Sequence, residues 1–314
     1  MKVFTHNFDP RSDSGPNKFT RDLLTNLVTN RKFEISNQDQ ADVEFCLIQQ
    51  AVQKKKPMVL RLDGIYFNSE QDYKNQNAPI KASYENADAV IFQSNFNKAL
   101  TEHWFGVHPN SHVIHNAYLD EKIKDQTFKR QVGDKEIWSC ASSWRPHKRL
   151  LDNIRYYIEK SPENSIFVVA GSGYSSEDVD KIKEITKKYQ HKMESRSIAM
   201  VGNLDYNTLR QLYDASSTFV HLAYLDHCPN VVVDAYAHDC QIVCSNSGGT
   251  QEIGEGFNVM WEKEESPWDF SPIALYKPPE INLNRITSSE GKNNSGEKAK
   301  ECLRRYEEVF RSLV

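Results

Sequence analysis

Short apolar runs alternate with longer amphipathic segments along most of this chain. The short runs fit strands that are buried on both faces, and the segments between them carry apolar residues at helical spacing. This alternation is typical of an α/β protein built on parallel sheets. The predicted strands are residues 2–5, 45–48, 58–62, 87–93, 137–141, 166–170, 198–201, 218–221 and 241–244.

The same pattern predicts two domains and a separate final helix. Residues 116–135 are polar and poor in strand pattern, so we place the boundary between residues 120 and 121. The first domain is predicted to span residues 1–120 and the second residues 121–290, each long enough for its own core. Residues 291–314 contain a last amphipathic helix, whose apolar stripe is Ala299, Cys302, Leu303, Tyr306, Val309, Phe310 and Leu313.

Composition narrows the class of protein. The chain has 314 residues, 39% of them hydrophobic and 26% charged, with a net charge of −4, which is typical of a globular protein and gives no reason to expect nucleic acid as a partner. No apolar run approaches the roughly 18 residues of a transmembrane helix, and the first residues lack an apolar signal core. Six scattered cysteines without a CxxC motif favour reduced thiols, so we expect a cytoplasmic protein.

The most informative chemistry lies between residues 218 and 252. Asp226 follows a predicted strand, Asp234 comes eight positions later in the next helix, and Gly248, Gly249 and Thr250 form a turn after the following strand. In a parallel α/β sheet, the carboxyl ends of strands and the amino ends of helices face the ligand crevice. Carboxylates placed there suit sugar hydroxyls. The alternative is an ordinary strand–helix–strand packing unit with surface acids.

This segment resembles the donor-binding region of the family-4 retaining glycosyltransferases, which have the GT-B fold. Their signature is two glutamates eight positions apart, an Ala-rich helix, a small strand, and a Gly-Gly turn followed by an acid. Here both glutamates are aspartates, which are one methylene shorter. The resemblance implies that Asp226 orients the donor sugar, that Asp234 holds the ribose hydroxyls, and that the amides of the glycine turn face the diphosphate.

A basic stretch follows the predicted strand 137–141. Arg145 and Lys148 stand at a strand-to-helix turn, where a guanidinium fork and an ammonium suit a diphosphate. A solvated cationic patch is the alternative. In the family that the chain resembles, Lys148 matches the phosphate-binding lysine, whereas the arginine position falls on Ser143. Arg145 lies two residues later and is expected to reach the same phosphates.

Candidate residues also occur in the first domain. Gly15 opens a helix after the first strand, where a glycine admits a phosphate or sugar close to the backbone, although an ordinary turn is the alternative. Asp63 follows a strand directly, with Tyr66 and Phe67 close behind it. These groups suit a carbohydrate, so we expect the two aromatic rings to contact the acceptor. Alternatively, Asp63 caps a turn and the rings belong to the core.

The resemblance extends to both domains. It implies that the glycine-bearing loop at Gly15 faces the donor, and that Asp63 stands where many members place a histidine that contacts the transferred sugar. It also implies that the final helix crosses back onto the first domain.

The turn Gly171-Ser172-Gly173 is open to two interpretations. It resembles the family's Gly-x-Gly near the nucleotide base, so Gly171 is a donor-binding candidate. It is also part of a dinucleotide fingerprint, although Ser176 stands at the third glycine position. A DxD motif, Asp178 to Asp180, begins a charged helix, where acids favour the dipole. We therefore expect no metal and no cofactor.

These observations predict an α/β protein of the GT-B class with two Rossmann-like domains across a cleft. The resemblance implies transfer of a sugar from a UDP- or GDP-sugar to a hydroxyl of a glycan or glycoconjugate, with retained configuration and without a metal. Catalytic roles fall on Asp226, Arg145, Lys148 and Asp63. Two alternatives remain, a nucleotide-sugar-binding protein without catalysis and an NAD(P)-dependent oxidoreductase.

Overall fold

Two β-sheets flanked by helices form the framework of the computed structural model, which describes residues 1–12, 14–122, 127–263 and 268–314. The elements of the first half are β1 (Lys2–His6), α1 (Gly15–Arg31), β2 (Glu34–Ile35), β3 (Val43–Leu47), β4 (Met58–Leu62), α2 (Tyr73–Asn86), β5 (Ala89–Phe92), α3 (Asn95–Phe105) and β6 (Ser111–Val113). The strands are parallel and lie in the order β2-β1-β3-β4-β5-β6.

The second half begins with α4 (Thr127–Val132), and it builds a sheet in the order β13-β12-β11-β10-β7-β8-β9. Its strands are β7 (Glu136–Ala141), β8 (Ser165–Ala170), β9 (Arg196–Gly202), β10 (Thr218–His221), β11 (Gln241–Ser245), β12 (Asn258–Glu262) and β13 (Ile281–Ser288). Its helices are α5 (Leu150–Lys160), α6 (Ser176–Lys188), α7 (Gln190–Met193), α8 (Tyr206–Ala215) and α9 (Asn230–Ala237). All pairs are parallel except β12 with β13.

The strand order fixes where a ligand can enter the second sheet. β7 lies between β8 and β10, so the connections that leave β7 and β10 run to opposite sides of the sheet. Such a switch point opens a crevice at the carboxyl ends of the two strands. The chain leaves β7 towards Lys148 and leaves β10 towards Asp226, so the topology brings these side chains to one crevice.

The final helix returns to the first sheet, as predicted. α10 (Ser295–Arg311) carries Tyr306 and Phe310, whose ring centroids lie 6.1 and 5.2 Å from that of Phe45 in β3. Both rings are buried in the core of the first domain together with Cys302 and Val309. The predicted α/β class with two Rossmann-like sheets is confirmed. The boundary between residues 120 and 121 lies in a connection of which residues 123–126 fall outside the described ranges, and it stays a prediction.

One part of the pattern was misread. No strand was predicted after residue 244, yet the chain after Glu252 contains β12 and β13. Val259 and Met260 of β12 are buried against β11, and the prolines at 272, 278 and 279 fall between the two strands, where they break no hydrogen-bonded ladder. Within the described ranges, every helix is too short or too polar to cross a lipid bilayer.

Candidate active site

A cleft of about 370 Å³ lies between the two domains and gathers many of the predicted residues. It brings together Gly15, Asp63, Arg145, Lys148 and Asp226. The remaining lining residues are Pro16, Gln93, Ser142, Ser143, His221, His227, Cys228, Pro229, Asn230 and Val231. The cations predicted after β7 and the acid predicted after β10 therefore share one crevice with the first domain.

Two helix starts converge on this cleft. Gly15 begins α1 and Asn230 begins α9, and Lys148 lies beside them at the end of the 3₁₀ turn Pro146–Lys148. The first turn of a helix has unpaired amide groups and the positive end of the helix dipole. The wall of the cleft is therefore suited to an anion, and a phosphate is the anion that such sites commonly bind.

Lys148, Asp226 and His221 form a charged cluster at the centre of the cleft. The Lys148 ammonium lies 2.5 Å from the Asp226 carboxylate, and Nε2 of His221 lies 2.9 Å from the same oxygen, Oδ2. Burial opposes ionisation of Asp226, but Lys148 and the His221 hydrogen bond outweigh it and hold its pKa well below the usual range. Burial lowers the pKa of His221, so a neutral ring donates to an ionised Asp226.

Arg145 and Arg149 differ although they share one basic stretch. Arg145 is exposed at the mouth of the cleft, and its side chain has no ion pair with any described residue. Arg149 is buried, with its Nη1 3.2 Å from Glu262, and it does not line the cleft. Arg145 is therefore the guanidinium available to a ligand, and Arg149 supports the fold.

The glycine turn has a different role from the expected contact with a diphosphate. The Gly249 amide donates to the carbonyl oxygen of Asp226 at 2.8 Å, so it is not free for a phosphate. Gly248 has φ +76°, and a Cβ there would lie 2.4 Å from the same oxygen. Thr250 is buried and, like both glycines, does not line the cleft. The turn instead fixes the backbone that carries Asp226.

Gly171 is likewise structural. It has φ +103°, and a Cβ would lie 1.8 Å from the carbonyl oxygen of Ser142. Glycine is required here because the ends of β7 and β8 approach closely. Ser142 lines the cleft whereas Gly171 does not, so Gly171 shapes the wall of the cleft and its donor contact stays a prediction.

Asp234 lies outside the cleft lining, contrary to the expected shared crevice. It is 6% exposed, one helical turn after Asn230 in α9. Burial raises its pKa to about 6, and Lys18 offsets part of that effect. Lys18 belongs to α1, and its ammonium lies 4.1 Å from the ring centroid of Tyr206 in α8, so first-domain groups adjoin this acid.

Of the three candidate side chains that follow β4, one reaches the cleft and two do not. Asp63 reaches the cleft but forms an ion pair with buried Arg61 at 2.5 Å. Burial raises its pKa in spite of that partner. Phe67 is only 4% exposed and packs in the core, with its ring centroid 4.8 Å from that of Trp268. Tyr66 is 44% exposed and lies outside the cleft lining, so neither ring contacts the cleft as expected.

Sequence reasoning missed several polar groups that complete the cleft. Asn230 donates to the carbonyl oxygen of Gly15 at 2.9 Å and accepts from Asn116 at 2.7 Å, which joins the two domains. Gln93 accepts from the same Asn116 side chain at 2.9 Å. His221 could have been found from the sequence, because it is a polar residue at the end of an apolar strand. The contacts of Asn230 with the first domain could not, because no sequence pattern near Asn230 indicates them.

Comparisons with known proteins agree with this fold. Residues 123–270 match the family model described as glycosyl transferases group 1. No curated protein sequence matches the chain. Solved structures with a similar fold include Anabaena Alr3699/HepE in complex with UDP and glucose, with 13% identity, all of both chains covered and a TM-score of 0.64.

Two further structures have the same architecture. Sucrose-phosphate synthase from Thermosynechococcus elongatus has 13% identity and a TM-score of 0.68, over 100% of this chain and 99% of that one. WaaG, a glycosyltransferase involved in lipopolysaccharide biosynthesis, has 10% identity and a TM-score of 0.59, with both chains fully covered. At these identities the likeness shows the fold. Residues 123–270 thus form a glycosyl transferases group 1 domain, and the chain is a glycosyltransferase with the GT-B fold.

Proposed function

We propose that this enzyme transfers a sugar from a nucleotide-diphosphate sugar to a hydroxyl of a glycan or glycoconjugate, with retention of configuration. One observation carries the proposal: Arg145, Lys148 and Asp226 meet the starts of α1 and α9 in a single cleft between the domains. A site of this kind offers positive charge to a diphosphate and a carboxylate to sugar hydroxyls. HepE, which shares the fold, forms complexes with UDP and UDP-glucose, and this supports a uridine nucleotide.

The main charge to stabilise is that of the departing diphosphate. Lys148, Arg145 and the first amides of α9 would neutralise it as the glycosidic bond lengthens, and their positions are set before the reaction. Binding of the diphosphate would draw the Lys148 ammonium from Asp226. Asp226 would then accept a hydrogen bond from a hydroxyl of the donor sugar, while His221 still donates to it.

Retention fits the way in which the carboxylates of the cleft are held. Asp226 is bound by Lys148 and His221, and Asp63 is bound by Arg61, so each is placed to orient a group rather than to attack the anomeric carbon. We propose transfer on one face of the sugar, in which the leaving phosphate takes the proton of the acceptor hydroxyl. The charge of Lys148 and Arg145 would make a metal ion unnecessary.

We propose that Asp234 holds the ribose, one turn along α9 from the phosphate site. Its burial beside Lys18 supports this assignment, because a buried carboxylate is costly without a partner such as a pair of hydroxyls. All six cysteines are free thiols in the structure, which supports a reducing compartment such as the cytoplasm.

Nucleotide binding tests the assignment directly. UDP or a UDP-sugar at about 100 times its dissociation constant should stabilise the protein by roughly 2.7 kcal/mol, measured as a thermal shift. Arg145→Ala and Lys148→Ala should each lose most of that shift. Lys181→Ala is the matched control, because Lys181 pairs with Glu177 on the exposed face of α6. A shift with NAD(P) and none with UDP or GDP compounds would favour the oxidoreductase instead.

Turnover separates an enzyme from a binding protein. Asp226→Asn should leave UDP binding nearly intact and lower the transfer rate by about 100-fold, the size expected for loss of one preorganised contact. The product's anomeric configuration, read by NMR, tests retention. A wild-type protein that binds UDP-sugars but neither transfers nor hydrolyses them with any acceptor in a glycan panel would be a binding protein.

A further inference from the structure

His227 belongs to the second domain, but its ring packs in the first. Its ring centroid lies 5.4 Å from that of Phe96 and 5.9 Å from that of Phe67, both first-domain residues. The residue also lines the cleft, directly after Asp226. The imidazole therefore crosses the gap between the domains beside the acid proposed to orient the donor sugar.

Gly64 provides the space for this ring. A Cβ at position 64 would lie 2.6 Å from Nε2 of His227, too close for two non-bonded atoms. Gly64 also has φ +144°, which side chains rarely adopt. The first domain thus has a notch, bounded by Gly64, Phe67 and Phe96, that fits the ring of His227.

The backbone of His227 is held from the opposite side. Its amide donates to Oδ1 of Asp226 at 3.1 Å. Its carbonyl oxygen packs against Gly249, where a Cβ would lie only 2.1 Å away. The second domain therefore holds the backbone of His227, while the first domain contacts its ring. The Asp226 carboxylate accepts a hydrogen bond from the amide of this same residue.

The ring acts by contact rather than by charge. Neither ring nitrogen has a hydrogen bond to the described part of the chain, and Nδ1 is fully buried. Burial lowers the pKa of His227 to about 4; nearby Asp226 and Lys148 act in opposite directions. The imidazole is therefore neutral near pH 7, and its fit to the notch is its main interaction with the first domain.

We propose that His227 is a positioning residue that ties the Asp226 carboxylate to closure of the two domains. When the ring docks in the notch, the bond from the His227 amide holds Asp226 in place for the donor sugar, and the cleft excludes water. This inference rests on the proposed role of Asp226. It predicts that loss of docking lowers kcat and raises the ratio of donor hydrolysis to transfer, because a loosened cleft admits water.

Two substitutions, one in each domain, prevent the His227 ring from docking in the notch. His227→Ala empties the notch, and Gly64→Ala fills it. Each should lower kcat for transfer by about 10- to 100-fold, the cost of a misplaced reacting group, while KM for the donor and the thermal shift with UDP change less than about threefold. Gly106→Ala is the matched control, because Gly106 has φ +90° with nothing within 4 Å of its Cβ position. It imposes backbone strain without blocking a ring, and should keep kcat.

His227→Phe distinguishes contact from hydrogen bonding. A phenyl ring keeps the packing on Phe67 and Phe96, so kcat should stay within about fivefold of wild type. A loss as large as that of His227→Ala would mean that a ring nitrogen binds substrate, which overturns the positioning role. Wild-type kcat and hydrolysis ratio in folded His227→Ala and Gly64→Ala would also overturn it. Failure of the wild-type protein to bind UDP-sugars would instead refute the proposed function.

Discussion

Among single residues, Asp234 has a pKa that differs clearly from that of an exposed aspartate, because its side chain is buried. Its pKa is raised to about 6, so the folded protein holds a proton more tightly than the unfolded chain. The stabilising contribution is then complete below pH 4 and is lost as the pH rises through 6. A shift of this size amounts to about 3 kcal/mol.

We therefore expect the unfolding free energy of the wild type to fall by up to about 3 kcal/mol between pH 4 and 7.5, relative to Asp234→Asn. Urea unfolding of both proteins across this range measures the difference. Parallel curves for the two proteins would contradict the raised pKa. If Asp234 also holds the ribose as a carboxylate, the affinity of the wild type for a UDP-sugar, whose diphosphate does not titrate in this range, should increase from pH 5 to 7. That of Asp234→Asn should not.

Gly248 makes a second prediction at this scale. Gly248→Ala should lower transfer by about 100-fold, because the new Cβ would displace the Asp226 carbonyl oxygen that now lies 2.4 Å from its position. Initial rates with saturating donor measure the effect. Gly202→Ala serves as the control, since Gly202 has φ +67° with open space around its Cβ position. Equal losses in the two variants would indicate backbone strain alone.

At the scale of elements, the sequence predicted those whose pattern is local. β4 and β10 were placed at their observed bounds and β11 within one residue, because apolar runs mark them directly. β13 was missed because its residues after Ile281 are largely exposed at the sheet edge, so no apolar run marks it. α2 was missed because its apolar stripe is weak and Pro79 interrupts it.

The candidate site shows the same limit. Lys148 and Asp226 could be placed together because strand order brings the ends of β7 and β10 to one crevice. The sequence of the glycine turn is equally suited to binding a phosphate and to packing against a backbone. Only the structure shows that the Gly249 amide is bonded to Asp226, a contact between segments distant in sequence. Contacts across the domains, such as Asn230 with Gly15, leave no local pattern at all.

For the whole molecule, hydrogen bonds to one carboxylate help to hold the two domains against each other. Glu252 in the second domain accepts hydrogen bonds from the Asn95 amide at 2.7 Å, the Phe96 amide at 3.0 Å and the His115 ring at 3.2 Å, all in the first. Burial opposes its ionisation, but His115 and the two amides lower its pKa. An acid from one domain thus caps α3 of the other, where the helix dipole also favours it.

We expect Glu252→Gln to loosen this arrangement, because a neutral amide cannot match the charge-assisted bonds. Amides of Asn95 and Phe96 should exchange with deuterium about tenfold faster, and donor hydrolysis should rise relative to transfer. Asp178→Asn is the matched control: Asp178 accepts from the Ser175 amide at 2.8 Å and so caps α6 within one domain. If it raised hydrolysis equally, general instability would explain both results. An effect confined to Glu252→Gln would show that the bonds of Glu252 to the start of α3 help to keep the cleft closed.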